Sequence, residues 1–165
     1  MAEIDVIQGS PVFENLSPEQ LQRIASISKV ETYEAGRSIF REGDEARNLF
    51  VLQDGKVILE MKIAHPEERR PAPQATVDVI VRGEVFGWST LIGSHVFAFS
   101  ARAVDGCAVI TIDGRQLLTL MESDLAMGYE LMKRLSEVIA SRLTHTRQTL
   151  ISERGLALLS QSYSY

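Results

Sequence analysis

The feature that most constrains this chain is a change of hydrophobic period partway along it. Between about Lys29 and Ile112 the apolar residues fall in short runs of period two, among them Val30, Tyr33, Phe40, Phe50, Leu52, Val57, Leu59, Val77, Val79, Val81, Phe97 and Phe99. Gly36, Gly43, Gly55, Gly83, Gly93 and Gly106 punctuate these runs, and many short strands separated by glycine turns make a sandwich or a jelly roll. From Asp124 to about Arg154 the period becomes helical. Leu131, Leu135 and Val138 form one stripe, and Met132, Leu135, Ile139 and Leu143 form a second. A shorter helix leads the chain: Ser17 is a candidate N-cap, Pro18 takes the first helical position, and Leu21, Ile24 and Ile27 share a side. The expected fold is therefore mainly β with flanking helices. It divides into a jelly roll with its leading helix over 1–123, a long C-terminal helix over 124–156 and a tail over 157–165.

The long helix has a further consequence. About 30 residues rising about 1.5 Å each reach roughly 45 Å, more than one small sandwich can cover. Part of its apolar edge is thus expected to pack against a second copy, with Leu131, Met132, Leu135, Ile139 and Leu143 as the seam of a homodimer. The alternative is a helix folded wholly back over its own barrel. Between the strand-like runs, residues 64–75 (AHPEERRPAPQA) hold three of the five prolines and read as an exposed hairpin loop. Its Arg69 and Arg70 could meet a phosphate or a partner, but Glu67 and Glu68 beside them favour a solvated tip.

Composition removes several classes of function. With 165 residues, 45% hydrophobic and 24% charged, the chain has the make-up of one folded domain, not of a disordered segment. A net charge of −5 with scattered basic residues gives no general attraction to nucleic acid or an anionic membrane. The start, MAEIDVIQGS, lacks a signal-peptide pattern, and no run approaches the roughly 18 apolar residues of a membrane span, so the chain reads as cytoplasmic. Cys107 is the only cysteine, suited to a small core position, and His65, His95 and His145 have no zinc spacing. No GxSxG, HExxH or GxxxxGK motif is present, and the histidines fall in a loop, a turn and a helix instead of converging in a barrel. Catalysis and metal binding are not expected.

Two segments carry more specific information. The first, residues 35–59 (AGRSIFREGDEARNLFVLQDGKVIL), combines glycine turns at Gly36, Gly43 and Gly55 with an EGD triplet before an apolar strand. The second is GEVFGWSTLIGSHVFAFSARAV, residues 83–104. Together they resemble the cyclic-nucleotide-binding domain of the catabolite activator protein and FNR regulator family, and the resemblance extends more weakly over most of 13–150. It implies a jelly roll in which the second segment is the phosphate-binding cassette. There a phenylalanine-glycine turn, here Phe86 and Gly87, opens a short helix whose first N–H groups face a cyclic phosphate. Ser89 and Thr90 would add hydroxyls near the helix start.

The chain departs from that pattern at two positions. The resemblance implies a glutamate for the ribose after the Phe-Gly pair and an arginine for the phosphate about nine residues later, and here Trp88 and Phe97 stand there. Losing a charge-assisted hydrogen bond costs about 1.5–3 kcal/mol and leaving the anion partly buried without its counter-charge costs more, together roughly 10- to 1000-fold in affinity. Arg102 lies five residues on, on the opposite strand face from Phe97, and reads as structural. His95, in the turn, could meet an anion only when protonated. Trp88 either plugs the ribose space with Phe97 and Phe99, or forms with Phe97 an aromatic wall for a flatter, less charged ligand. Relatives that take haem or small aromatic effectors offer an analogy for the wall. In nucleotide-binding relatives small hydroxyl residues on this helix, some from the partner subunit, reach the purine ring, which marks Thr144 and Thr146 as candidate ligand contacts or as solvated helix residues. No cofactor is required by these residues; the open ligands are another small effector or a cyclic nucleotide held weakly by backbone N–H groups. After Arg154 only GLALLSQSYSY remains, too short for the family's helix-turn-helix, so no direct DNA contact is expected, whether this is a stand-alone sensor or part of a longer chain. The sequence thus predicts a non-catalytic regulatory module with an altered site, or a ligand-free interaction protein whose long helix meets a second copy or another protein.

Overall fold

The computed structural model describes residues 2–62 and 74–162. Two helices come first, α1 (Ala2–Gln8) and α2 (Pro18–Ser26), followed by strands β1 (Ser28–Tyr33), β2 (Ser38–Phe40), β3 (Asn48–Asp54), β4 (Val57–Lys62), β5 (Gln74–Ile80) and β6 (Val85–Phe86). A single 3-10 turn at Trp88–Thr90 leads on to β7 (Ser100–Ala103) and β8 (Cys107–Asp113), and then to α3 (Gly114–Ser123) and α4 (Leu125–Ser162). The strands form two antiparallel four-stranded sheets, ordered β1-β8-β3-β6 and β2-β7-β4-β5. This is the jelly roll that the alternating runs and glycine turns predict.

Burial explains the sequence pattern of the central strands. In β3, Leu49 and Val51 face the helices, whereas Phe50 and Leu52 face the space between the sheets. In β8, Ile110 and Ile112 face the helices and Val109 faces inward. Strands buried on both faces read as continuous apolar runs, as these do. Cys107 belongs to the inter-sheet core, where burial pushes its thiol pKa up.

The helices start on side-chain caps. At α2 the Gln20 N–H donates to Ser17 Oγ (3.3 Å) and the Ser17 N–H donates to Gln20 Oε1 (2.9 Å), a reciprocal capping box. At α4 the Met127 N–H donates to Asp124 Oδ1 (3.0 Å), while Gln20 Nε2 and Arg23 Nη1 of α2 donate to Asp124 Oδ2 at 3.0 and 3.3 Å. These hydrogen bonds lower the Asp124 carboxyl pKa, the Gln20 bond most. One carboxylate therefore both starts the long helix and ties it to the leading one.

Several expectations need correction. The sequence reading missed α1 and α3. The long helix continues to Ser162, so the described part of the expected tail, residues 157–162, is helical. Gln74 and Ala75 belong to β5, and the rest of the predicted hairpin loop, with Glu67, Glu68, Arg69 and Arg70, lies outside the described residues. Leu131 and Leu135 are 1% exposed within the chain's own helix-facing core, and thus are not available to a dimer seam. Met132 and Ile139 are half-buried against that core, and Leu143 is exposed. The helix therefore folds back over its own barrel along its first half, and residues 143–149 beyond it are exposed. No helix among the described residues is long and apolar enough to cross a membrane.

Candidate functional site

The site is built where β6 ends. Gly87 has a φ of 76°, which side-chain-bearing residues rarely adopt, and a Cβ there would lie 2.7 Å from the Phe50 ring and 3.3 Å from Phe97. Glycine is needed at this position for both reasons. The chain then makes the 3-10 turn, with the Leu91 N–H donating to the Trp88 carbonyl at 2.9 Å. Among the described residues, no hydrogen bond is made by the N–H groups of Trp88 and Ser89. The cassette helix is a single 3-10 turn, Trp88–Thr90.

Beside the turn is a cleft of about 50 Å³, lined by Phe40, Leu59, Trp88, Ser89, Phe97 and Phe99 together with Gly87 and Ala98. Pockets that enclose a drug-sized ligand measure about 300–1,000 Å³, so in this arrangement the cleft holds only a few atoms. Phe97 accounts for much of the filling. Its ring stacks on Phe40 with centroids 3.7 Å apart, and Phe40 stacks in turn on Phe50 and Phe86 at 5.4 and 6.1 Å. Phe99 is half-buried at the edge of this aromatic group.

Thr90 leaves the site. It is buried and packs against Gly114 at the start of α3, on the far side of the turn from the cleft. His95 has a φ of 54°, and its Nδ1 lies 3.2 Å from the Thr90 carbonyl, to which it donates in the tautomer protonated there. It buttresses the loop and does not line the cleft. Arg102 donates to both carboxylate oxygens of Glu60, Nε to Oε2 at 3.0 Å and Nη2 to Oε1 at 2.7 Å. It does not line the cleft either. Thr144 and Thr146 do not line this chain's own cleft: each hydroxyl donates one turn back along α4, to the carbonyls of Ala140 (3.0 Å) and Arg142 (2.9 Å), and both residues are exposed.

The residue of α4 that does reach the site is Arg142. Its guanidinium carbon lies 4.8 Å from the centroid of the Trp88 ring. Nη2 donates to the Val85 carbonyl at 2.9 Å, and Nε lies 3.4 Å from Asp78 Oδ2 on β5. Nη1 is buried with no partner among the described residues. Burial lowers the Arg142 pKa, opposed by the charges of Asp78 and Glu84; an arginine nonetheless stays charged. Nothing in the local sequence SRLTH singles it out, because its partners lie more than 50 residues back.

The fold is a jelly roll closed by a C-terminal helix, with a glycine-opened turn held against that helix at Arg142. The family model for the cyclic nucleotide-binding domain matches residues 30–124, and the chain belongs to that family. The cGMP-dependent protein kinase egl-4 of Caenorhabditis briggsae is 27% identical over 123 residues, 74% of this chain and 16% of the kinase. The cyclic AMP receptor protein of Thermus thermophilus is 29% identical over 115 residues, 70% of this chain and 50% of that protein. The crystal structure of a candidate cyclic nucleotide-binding protein from Geobacter metallireducens superposes with a TM-score of 0.74 at 31% identity, covering 87% of this chain and 99% of that one. The chain spans half or less of the length of these two curated relatives.

Proposed function

We propose that this chain is a non-catalytic regulatory module whose cassette is altered to respond to something other than a free cyclic nucleotide, and that it signals through α4. The observation that carries this reading is the fate of the two departing positions. Phe97 lies in the aromatic core where the family pattern has an arginine, and Trp88 lies under Arg142 where it has a glutamate. The cleft that remains is small and lined by four aromatic rings, and none of its lining residues is charged. Such a surface suits a small neutral ligand better than a phosphate, whose burial without a counter-charge is costly.

The relatives set the test. Because one is named a cGMP-dependent kinase and another a cyclic AMP receptor, both nucleotides serve as probes in a calorimetric titration of the purified protein up to millimolar ligand. No saturable heat with either is the expected result. Binding near one nucleotide per chain would overturn the reading and make the free N–H groups of Trp88 and Ser89 a sufficient phosphate site.

The small volume of the cleft favours a second reading, a ligand-free interaction module acting through the outer part of α4. The exposed Leu143 and Ile151, with the half-buried Met132 and Ile139, supply the apolar edge for a second copy of the chain or another protein. Both readings make the domain a soluble unit inside the cell that acts on a partner through α4.

A further inference from the structure

Arg142 joins three parts of the barrel at one point: Asp78 on β5, the Val85 carbonyl on β6 and the face of Trp88 in the cassette turn. It is also the last residue of α4 before a run of seven exposed residues, 143–149. Trp88 has two neighbours of different kinds, the cleft and the guanidinium. We propose that Arg142 is the coupling residue of the site: with Trp88 it latches the cassette turn to α4 in the absence of any nucleotide, and a ligand acts by disturbing that stack. The proposal rests on the cassette being the site, as above, but not on the identity of a ligand.

The contacts support a latch that can open. The Arg142–Asp78 separation of 3.4 Å is long for a charge-assisted hydrogen bond. The buried Nη1 has no partner among the described residues, a cost recovered when the guanidinium reaches water. A cation–π contact is strong enough to hold a helical turn in place and weak enough to be outcompeted. A ligand that shifts the Trp88 ring thus changes the docking of α4 without touching the helix. Differential contact of this kind is what switching requires.

The chain has a single tryptophan, so its emission reports position 88 alone. We would compare wild type, Arg142→Ala, Arg142→Lys and the exposed control Arg147→Ala by acrylamide quenching and by amide hydrogen exchange, with no ligand added. In Arg142→Ala, amides of residues 136–146 should exchange about tenfold faster, equivalent to about 1.4 kcal/mol of opening. Trp88 should be quenched more readily, with β3 and β8 unchanged. Arg142→Lys should fall between, since it keeps the charge but loses the flat stack. Unchanged exchange and quenching in Arg142→Ala, or the same change in Arg147→Ala, would overturn the proposal. If Arg142→Ala also loosens β3 and β8, Asp78→Asn decides, because it weakens the latch without truncating it. Partial opening of 136–146 is then the supporting result, and no opening the contrary one. Nucleotide binding in the calorimeter would contradict the altered-ligand reading but leave this test intact.

Discussion

Phe97 and Phe40 stack with ring centroids 3.7 Å apart and planes 15° from parallel. Phe97 is thus a member of the aromatic core that fills the space between the sheets. Phe97→Ala should therefore behave as a core truncation and lower stability by about 3–5 kcal/mol, read from the midpoint of denaturant unfolding. Phe97→Arg should destabilise as well and should not by itself create nucleotide affinity, because the new guanidinium would enter an aromatic stack. A stable Phe97→Arg protein that binds cyclic AMP would show that the cleft opens more easily than this stacking implies.

Gly114 is the first residue of α3, and a Cβ there would run into the Thr90 side chain and come within 2.9 Å of the Arg47 carbonyl. Gly114→Ala should destabilise by about 1–3 kcal/mol, the usual cost of overpacking. Adding Thr90→Ala should recover part of the loss, since only one of the two obstacles is a side chain. Thermal unfolding of the single and double variants tests this, and independent, additive effects would contradict the contact.

Asp124 links pH to the docking of the long helix. Its hydrogen bonds hold its folded-state pKa below the ordinary value of about 3.9. A depressed carboxyl stabilises the fold fully above its unfolded pKa, and the contribution is lost as pH falls through the folded pKa. Wild type should thus lose melting temperature more steeply below about pH 4 than Asp124→Asn does. Parallel curves from pH 6 to pH 2 would mean that Asp124 stays protonation-silent in the fold.

The two kinds of leucine on α4 should respond differently to charge. Leu135→Glu places a carboxylate in the helix-facing core and should unfold the domain. Leu143→Glu alters an exposed residue and should leave the fold intact while shifting any dimer toward monomer. Sedimentation velocity with circular dichroism separates the outcomes, and an unchanged dimer in Leu143→Glu would remove that residue from the interface.

Much of the barrel was legible because strand alternation and glycine turns are local signals. The N-cap at Ser17 and the onset of the long helix near Asp124 were legible for the same reason. Helix α3 was not, since Gly114 at its first position reads as a turn and only Leu117 and Met121 carry its buried stripe. Helix α1 offered little more, with Val6 and Ile7 its buried residues. Within the site, Gly87, Trp88, Ser89, Phe97 and Phe99 came together at the cleft, all from the segment following β6. Arg142 escaped because a cation on a long helix is ordinarily solvated, and its Val85 partner lies 57 residues away. The seam residues Leu131 and Leu135 illustrate the converse: an apolar stripe says that a face is covered, not which surface covers it.

Beyond Arg142 the final helix runs about 20 residues further, to Ser162, a span of about 30 Å. An arm of that length converts angle into distance. A tilt of about 10° at the last docked turn would carry the far end sideways by about 5 Å, roughly one helical pitch. If α4 carries the signal as proposed, it would act as a lever with its fulcrum at the cassette, turning a movement too small to measure at the cleft into a large one at its far end.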